Sequence, residues 1–205
     1  MSDGATVEFG DESVATERRW EAPFGSPDEF RVEKQDEGST VAFEGDRLRV
    51  DCPDWGLTVW ARRTFPADLL VEYTATCREP KGTSSRNLNC FLCAANDEEP
   101  LESNPRDGGY PDYHDWPNYI FTLTKTHSRL RRDPGFEQQS ELMMGIQPDE
   151  SYTVRVRKEG GRIQARVNGR LIHDWTDPDP HGAGWVGLRT YDTDVTYDDW
   201  TVYEL

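Results

Sequence analysis

Lysine is nearly missing from this chain of 205 residues: 4 Lys stand against 19 Arg, and 39 Asp and Glu outnumber both, for a formal charge of −16. That deficit of positive charge excludes nucleic acid and anionic membrane as main partners, because a polyanion would be repelled. Excess acid with scarce lysine is also the composition of proteins from salt-adapted cells, where molar salt shrinks the reach of charge repulsion to ~3 Å. No segment approaches the ~20 apolar residues of a membrane span. The opening stretch, MSDGATVEFGDESV, has neither a basic nor an apolar signal region, so a soluble cytoplasmic protein is expected. Helix-period apolar patterns and internal repeats are missing as well.

Cysteine is sparse and stands apart from histidine. The four cysteines are Cys52, Cys77, Cys90 and Cys93. Cys90 and Cys93 form a C-x-x-C in a strand-like run, where residues three apart point to opposite faces. Tetrahedral zinc would need further ligands to converge, and no spacing announces them. Reduced buried thiols are expected, with no metal and no cofactor. Acidic turn residues Asp192, Asp194, Asp198 and Asp199 could hold calcium, but such turns are common in a chain this acidic.

What is present is strand. Residues 1–19 read as a polar lead-in, and residues 20–205 as one domain. Phe30 to Val32, Val41 to Phe43, Leu48 to Val50 and Leu57 to Val59 alternate apolar with polar, punctuated by Gly38, Gly45-Asp46 and Pro53-Asp54. Val71, Tyr73, Ala75 and Cys77 share one face of the next run. In NLNCFLCAA, Leu88, Cys90, Leu92 and Ala94 face one way, while Asn87, Asn89, Phe91 and Cys93 face the other. Polar loops are read at 79–86 and 96–109. Asn168-Gly169 joins two alternating runs as a type I′ hairpin turn, because both residues tolerate positive φ. The tail reads as two strands around Asp192-Thr193-Asp194. About a dozen short strands predict an all-β, two-sheet antiparallel β-sandwich of the jelly-roll kind.

One stretch, 108–136 (GGYPDYHDWPNYIFTLTKTHSRLRRDPGF), concentrates the reactive and ligand-binding side chains. From Lys125 to Arg170 there are ten Lys or Arg and six Asp or Glu, a local balance of +4 that leaves −20 for the rest. An arginine fork matches a carboxylate in two-point geometry, which suits an acidic sugar. Arg129 and Arg131 share one strand face beside the Tyr-His pair, whereas Arg155, Arg157, Arg162 and Arg166 read as partners for surface acids.

The hairpin VNGRLIHDW and the tail GWVGLRTYDTDVTYDDWTVYEL look like the closing strands of concanavalin A-like, galectin-like jelly rolls. Gly109-Tyr110-Pro111, Tyr113-His114, Asn118, the arginine-bearing run and Gly135-Phe136 resemble the YesU-like family of jelly-roll proteins of unknown function. Members of such families tend to accompany genes for breaking down acidic polysaccharides. The resemblance implies carbohydrate work without fixing a reaction, and the arginines make an acidic, uronate-containing oligosaccharide the expected substrate. The residue types present suit a lyase, in which Tyr113 and His114 act as base and acid. Tyr110, Asn89, Trp116, Asn118, His127, Arg129 and Arg131 would then bind the substrate. A non-catalytic lectin-like protein using the same groove, and a glycoside hydrolase using nearby carboxylates, are the alternatives. The test put to the structure is whether these side chains converge.

Overall fold

The computed structural model describes residues 5–78, 85–95 and 106–205. The loops read at 79–86 and 96–109 therefore lie largely outside the described residues. In chain order the described strands are β1 (Ala5–Phe9), β2 (Glu12–Thr16), β3 (Arg18–Glu21), β4 (Phe30–Lys34), β5 (Thr40–Phe43), β6 (Arg47–Ala61), β7 (Leu69–Arg78) and β8 (Asn87–Ala94). They continue as β9 (Asn118–Leu123), β10 (Ser128–Asp133), β11 (Glu137–Leu142), β12 (Ser151–Glu159), β13 (Arg162–Val167), β14 (Arg170–Thr176) and β15 (Trp185–Glu204). Among the described residues, helix is confined to two 3-10 turns, Pro27–Glu29 and Pro111–Asp115.

All pairings are antiparallel, and they make a sandwich of two sheets. Sheet I runs β11, β10, β9, β8, the first half of β15, the second half of β6, then β4. Sheet II runs β14, β13, β12, β7, then the second half of β15, which is flanked by β3 and by the first half of β6 with β5. Two long strands thus belong to both layers. The alternation pattern places turns at Pro53-Asp54 and at Asp192, but the chain bends there without reversing. Asp54 (φ +68°) and Asp192 (φ +45°) take left-handed backbone, and the β6–β15 register shifts between Tyr191 and Thr193. Bulged residues of this kind turn a strand out of one sheet and into the next.

Between the sheets lies the main core, to which each strand contributes its alternate side chains: Leu88, Cys90 and Leu92 from β8, Phe121 and Leu123 from β9, Val154 and Val156 from β12, Val186 and Leu188 from β15. Strict alternation sends Cys93 outward, yet it is buried in this core beside Cys90, because its own positive φ of 54° interrupts the pleat. All four cysteines are free and buried, and burial pushes the Cys93 thiol up to about 12. Asn168 (φ +48°) and Gly169 (φ +79°) make the expected tight turn between β13 and β14.

Both outer faces are partly covered. Residues 5–16, within the stretch read as a polar lead-in, form the β1–β2 hairpin; Val7, Phe9 and Val14 pack against Leu70 and Tyr203 of sheet II. On sheet I, the segment 106–117 lies across the outer face. Tyr113 and Trp116 descend there onto Trp60, Phe91 and Ile120 as a second apolar cluster. Gly108 permits this close approach, since it combines φ of +85° with a position directly over the β4 backbone at Glu33.

Candidate functional site

The covering segment divides the outer face of sheet I into a plugged half and an open half. In the plugged half, Glu33 is the hub. Its carboxylate accepts bonds from Trp60 Nε1 (3.0 Å), Arg106 Nη2 (3.0 Å), Arg31 Nε (3.0 Å) and the Tyr113 hydroxyl (2.8 Å). The Arg106 guanidinium also lies 3.8 Å from the Trp116 ring centroid, so a carboxylate and an aromatic face both hold it.

The open half is a groove of about 370 Å³. Strand alternation builds its floor from the residues that point away from the core: Asn87 and Asn89 of β8, Thr122 of β9, Arg129 and Arg131 of β10, Arg189 and Tyr191 of β15. Asn89 is held in place, for it accepts from Thr122 Oγ1 at 2.7 Å and donates to Asn87 Oδ1 at 2.5 Å. Tyr110 and Phe136 form the walls, with ring centroids 6.0 Å apart. Phe136 and Tyr191 remain 46% and 42% exposed, leaving aromatic surface free for contact. At one end, Thr124 and His127 close the β9–β10 turn. Thr124 Oγ1 accepts the His127 N–H at 3.1 Å, and burial together with Arg129 lowers the His127 pKa.

The arginines set the electrostatics. Arg129 is paired, donating to Glu141 Oε1 at 3.0 Å. Arg131 and Arg189 are only 5% and 3% exposed, and neither forms an ion pair among the described residues. The two carboxylates whose charge acts on Arg131 are already engaged. Asp133 accepts from Phe136 N (2.6 Å) and pairs with His114 (3.0 Å), while Glu141 is taken by Arg129 and by Gln138 (2.9 Å). Arg189 has one long contact, 3.4 Å to Gly108 O, and its guanidinium stands 4.7 Å from the Tyr110 ring centroid. Both Nε atoms are buried without a hydrogen-bond partner. Burial pulls both guanidinium pKa values down, and for Arg131 it outweighs the opposing pull of Tyr110, Asp133 and Glu141. Tyr110 lies in the field of both, although burial still pushes its hydroxyl pKa up.

Of the expected substrate-binding residues, Tyr110, Asn89, His127, Arg129 and Arg131 surround the groove. The rest do not reach it. Tyr113 is 2% exposed, with its hydroxyl donated to Glu33 and a second hydrogen bond shared with Thr58 at 2.9 Å. Burial first, then the Glu33 carboxylate, raises its pKa above the usual phenol range. His114 stands behind the walls, its ring 4.5 Å from that of Tyr110 and 4.1 Å from that of Phe136. Its Nδ1 is bound to Asp133, and its Nε2 is buried. The acid–base pair expected of Tyr113 and His114 is therefore not assembled at the groove. Trp116 is stacked under Arg106, and the Asn118 amide holds the carbonyls of Tyr113 (2.8 Å) and Trp116 (2.7 Å), so both shape the plug. Arg189 escaped the sequence reading because its neighbours in the groove are far away in the chain. Its one signal was a charge between Leu188 and Thr190 in an otherwise buried run.

A larger hollow, about 600 Å³, lies on the outer face of sheet II beside residues 19–24. Its arginines are already neutralised: Arg19 pairs with Glu21 at 2.6 Å, and Arg155 with Glu72. Among the described residues, no group of three or more His, Cys, Asp or Glu side chains is placed to hold a metal ion.

A two-sheet jelly roll with a groove on one outer face is the galectin-like class of β-sandwich. Within that class the chain belongs to the DUF6250 family, a domain of unknown function, whose model matches residues 52–200. Among solved structures, a galectin-like-fold protein of unknown function from Bacillus subtilis superposes with a TM-score of 0.75 at 20% identity, covering 90% of this chain and 94% of that one. The carbohydrate-binding module CBM66 from Bacillus subtilis gives 0.61 at 13% identity, over 86% and 96%. The VIP36 exoplasmic/lumenal domain in its Ca²⁺- and mannose-bound form gives 0.67 at 10% identity, over 91% and 89%. At these identities the likeness is one of fold. No curated protein matches the sequence.

Proposed function

We propose that this chain is a carbohydrate-binding protein whose groove takes an acidic oligosaccharide, without catalysing its cleavage. The observation that carries the reading is the pairing of exposed aromatic surface with two buried, uncountered arginines over an amide and hydroxyl floor. Aromatic faces pack against the apolar faces of sugar rings, amides and hydroxyls exchange bonds with ring hydroxyls, and arginine forks receive carboxylates. The groove volume suits a short oligosaccharide. Support also comes from fold neighbours named as a carbohydrate-binding module and as a mannose-bound domain. The YesU-like resemblance and a salt-adapted setting belong to the same proposal.

Binding is favoured over the lyase reading because Tyr113 is buried in the plug and His114, its Nδ1 held by Asp133 and its Nε2 buried, stands behind the groove walls. Isothermal titration against matched uronate and neutral hexose oligosaccharides, with ultraviolet absorbance followed for unsaturated ends, tests this. Uronate binding with no new double bond and no new reducing ends is the expected result. Failure of both sugar series to bind at millimolar concentration defeats the reading, and accumulating unsaturated product restores the lyase.

A further inference from the structure

We infer that Arg131 and Arg189 form a two-armed carboxylate site between the Phe136 and Tyr110 walls, and that its affinity for a uronate holds or rises as salt increases. The inference rests on the sugar-binding reading only for the rest of the ligand; the carboxylate site stands on the arginines themselves. Two side chains, 5% and 3% exposed, line one groove from β10 and β15, and neither meets a carboxylate among the described residues. Each guanidinium stands over one wall, Arg189 4.7 Å from the Tyr110 ring centroid and Arg131 4.5 Å from that of Phe136, so the two charges flank the groove between them. A ligand carboxylate seated there would supply the missing counter-ion and the missing acceptors. Gly56 keeps the arrangement open, because any Cβ at that position would collide with Arg189 Nη2.

The salt dependence follows from two ranges of electrostatics. A net charge of −16 repels an anionic ligand from a distance, and salt removes that repulsion as the screening length falls from about 10 Å at 0.1 M to about 3 Å at 1 M. Pairs formed inside the buried groove are screened far less. Raising salt therefore removes the unfavourable contribution and spares the favourable one. Surface recognition through exposed pairs such as Arg129–Glu141 would show the opposite slope.

The test is the arginine Nε–H NMR signal of the intact chain, titrated with glucuronate, methyl glucoside and acetate, together with binding measured for Arg189→Gln and Arg131→Met. Expected are shifts of both Nε–H signals with glucuronate and, more weakly, acetate, but not with the neutral glucoside. Each variant should lose at least ~30-fold in uronate affinity, with uronate affinity of the native chain level or rising between about 0.1 and 1 M KCl. Thermal melts separate misfolding from lost contact, and Arg131→Met reports on the site if Arg189→Gln disturbs Tyr110. Unmoved Nε–H signals, equal shifts with glucoside, or affinity falling steeply with salt overturns the site. Shifts with acetate alone keep the carboxylate site and overturn the sugar reading.

Discussion

The two hollows of this sandwich contain the same residue type in opposite states. On sheet II the larger hollow holds Arg155, bonded to Glu72 and to Glu8 O at 2.8 Å. On sheet I the smaller groove holds Arg131 and Arg189, buried with no carboxylate partner among the described residues. Volume alone would select the first, but charge pairing selects the second. A chain with 39 acids could neutralise two more arginines easily. Leaving them uncountered among the described residues, at the cost of burying charge, is what the proposed carboxylate site requires.

The comparison is sharpened most strongly by removing the carboxylate that counters Arg106. Glu33→Ala takes the carboxylate away from the buried Arg106 and from the Trp60 and Tyr113 donors, and should cost ~3–5 kcal/mol. Urea unfolding would read this as a lower midpoint with an unchanged slope. Next comes the reverse experiment: Arg131→Met removes a buried charge without orphaning a partner. It should raise stability by ~1–2 kcal/mol while uronate binding is lost, a trade of stability against function. A lower melting temperature would mean that Arg131 is a structural residue after all.

His173 shows a third way to bury an ionisable group, by keeping it neutral. It bonds Ser128 Oγ (2.9 Å) and Ser140 Oγ (2.8 Å), and burial lowers its pKa from 6.5 to about 4. Above pH 6.5 both folded and unfolded forms are neutral. As pH falls toward about 4, the unfolded chain takes the proton first, so stability declines through that window. His173→Gln should flatten this part of the pH–stability curve. The smallest effect is expected at the paired hollow, where Glu72→Gln frees a half-exposed Arg155 and should change stability by ~1 kcal/mol or less and uronate affinity not at all.

Much of this was readable along the chain. Period-two alternation placed Asn89 away from the core partner Cys90, and put Arg129 and Arg131 on one face, because a strand's side chains alternate regardless of its neighbours. Alternation failed where backbone left the extended region. Asp54, Cys93 and Asp192 carry positive φ, and each displaced a turn or a face from where the pattern put it. It also gave no direction to the 3-10 turn Pro111–Asp115, where Tyr110 enters the groove and Tyr113 turns into the core three residues later.

Sequence by itself determined the all-β class, the acidic composition and the Asn168-Gly169 turn, and it pointed to part of the candidate groove, since these depend on local propensity, composition and spacing. Tertiary structure alone decided which residues line the candidate groove. Arg189 joins Arg131 and Tyr110 only because β15 pairs with β8, β8 with β9 and β9 with β10. Whether an arginine is neutralised depends on which acids the fold brings within bonding distance, and Asp133 and Glu141 are spent before they reach Arg131. Register and charge pairing are properties of contacts distant in sequence, and no local pattern encodes them.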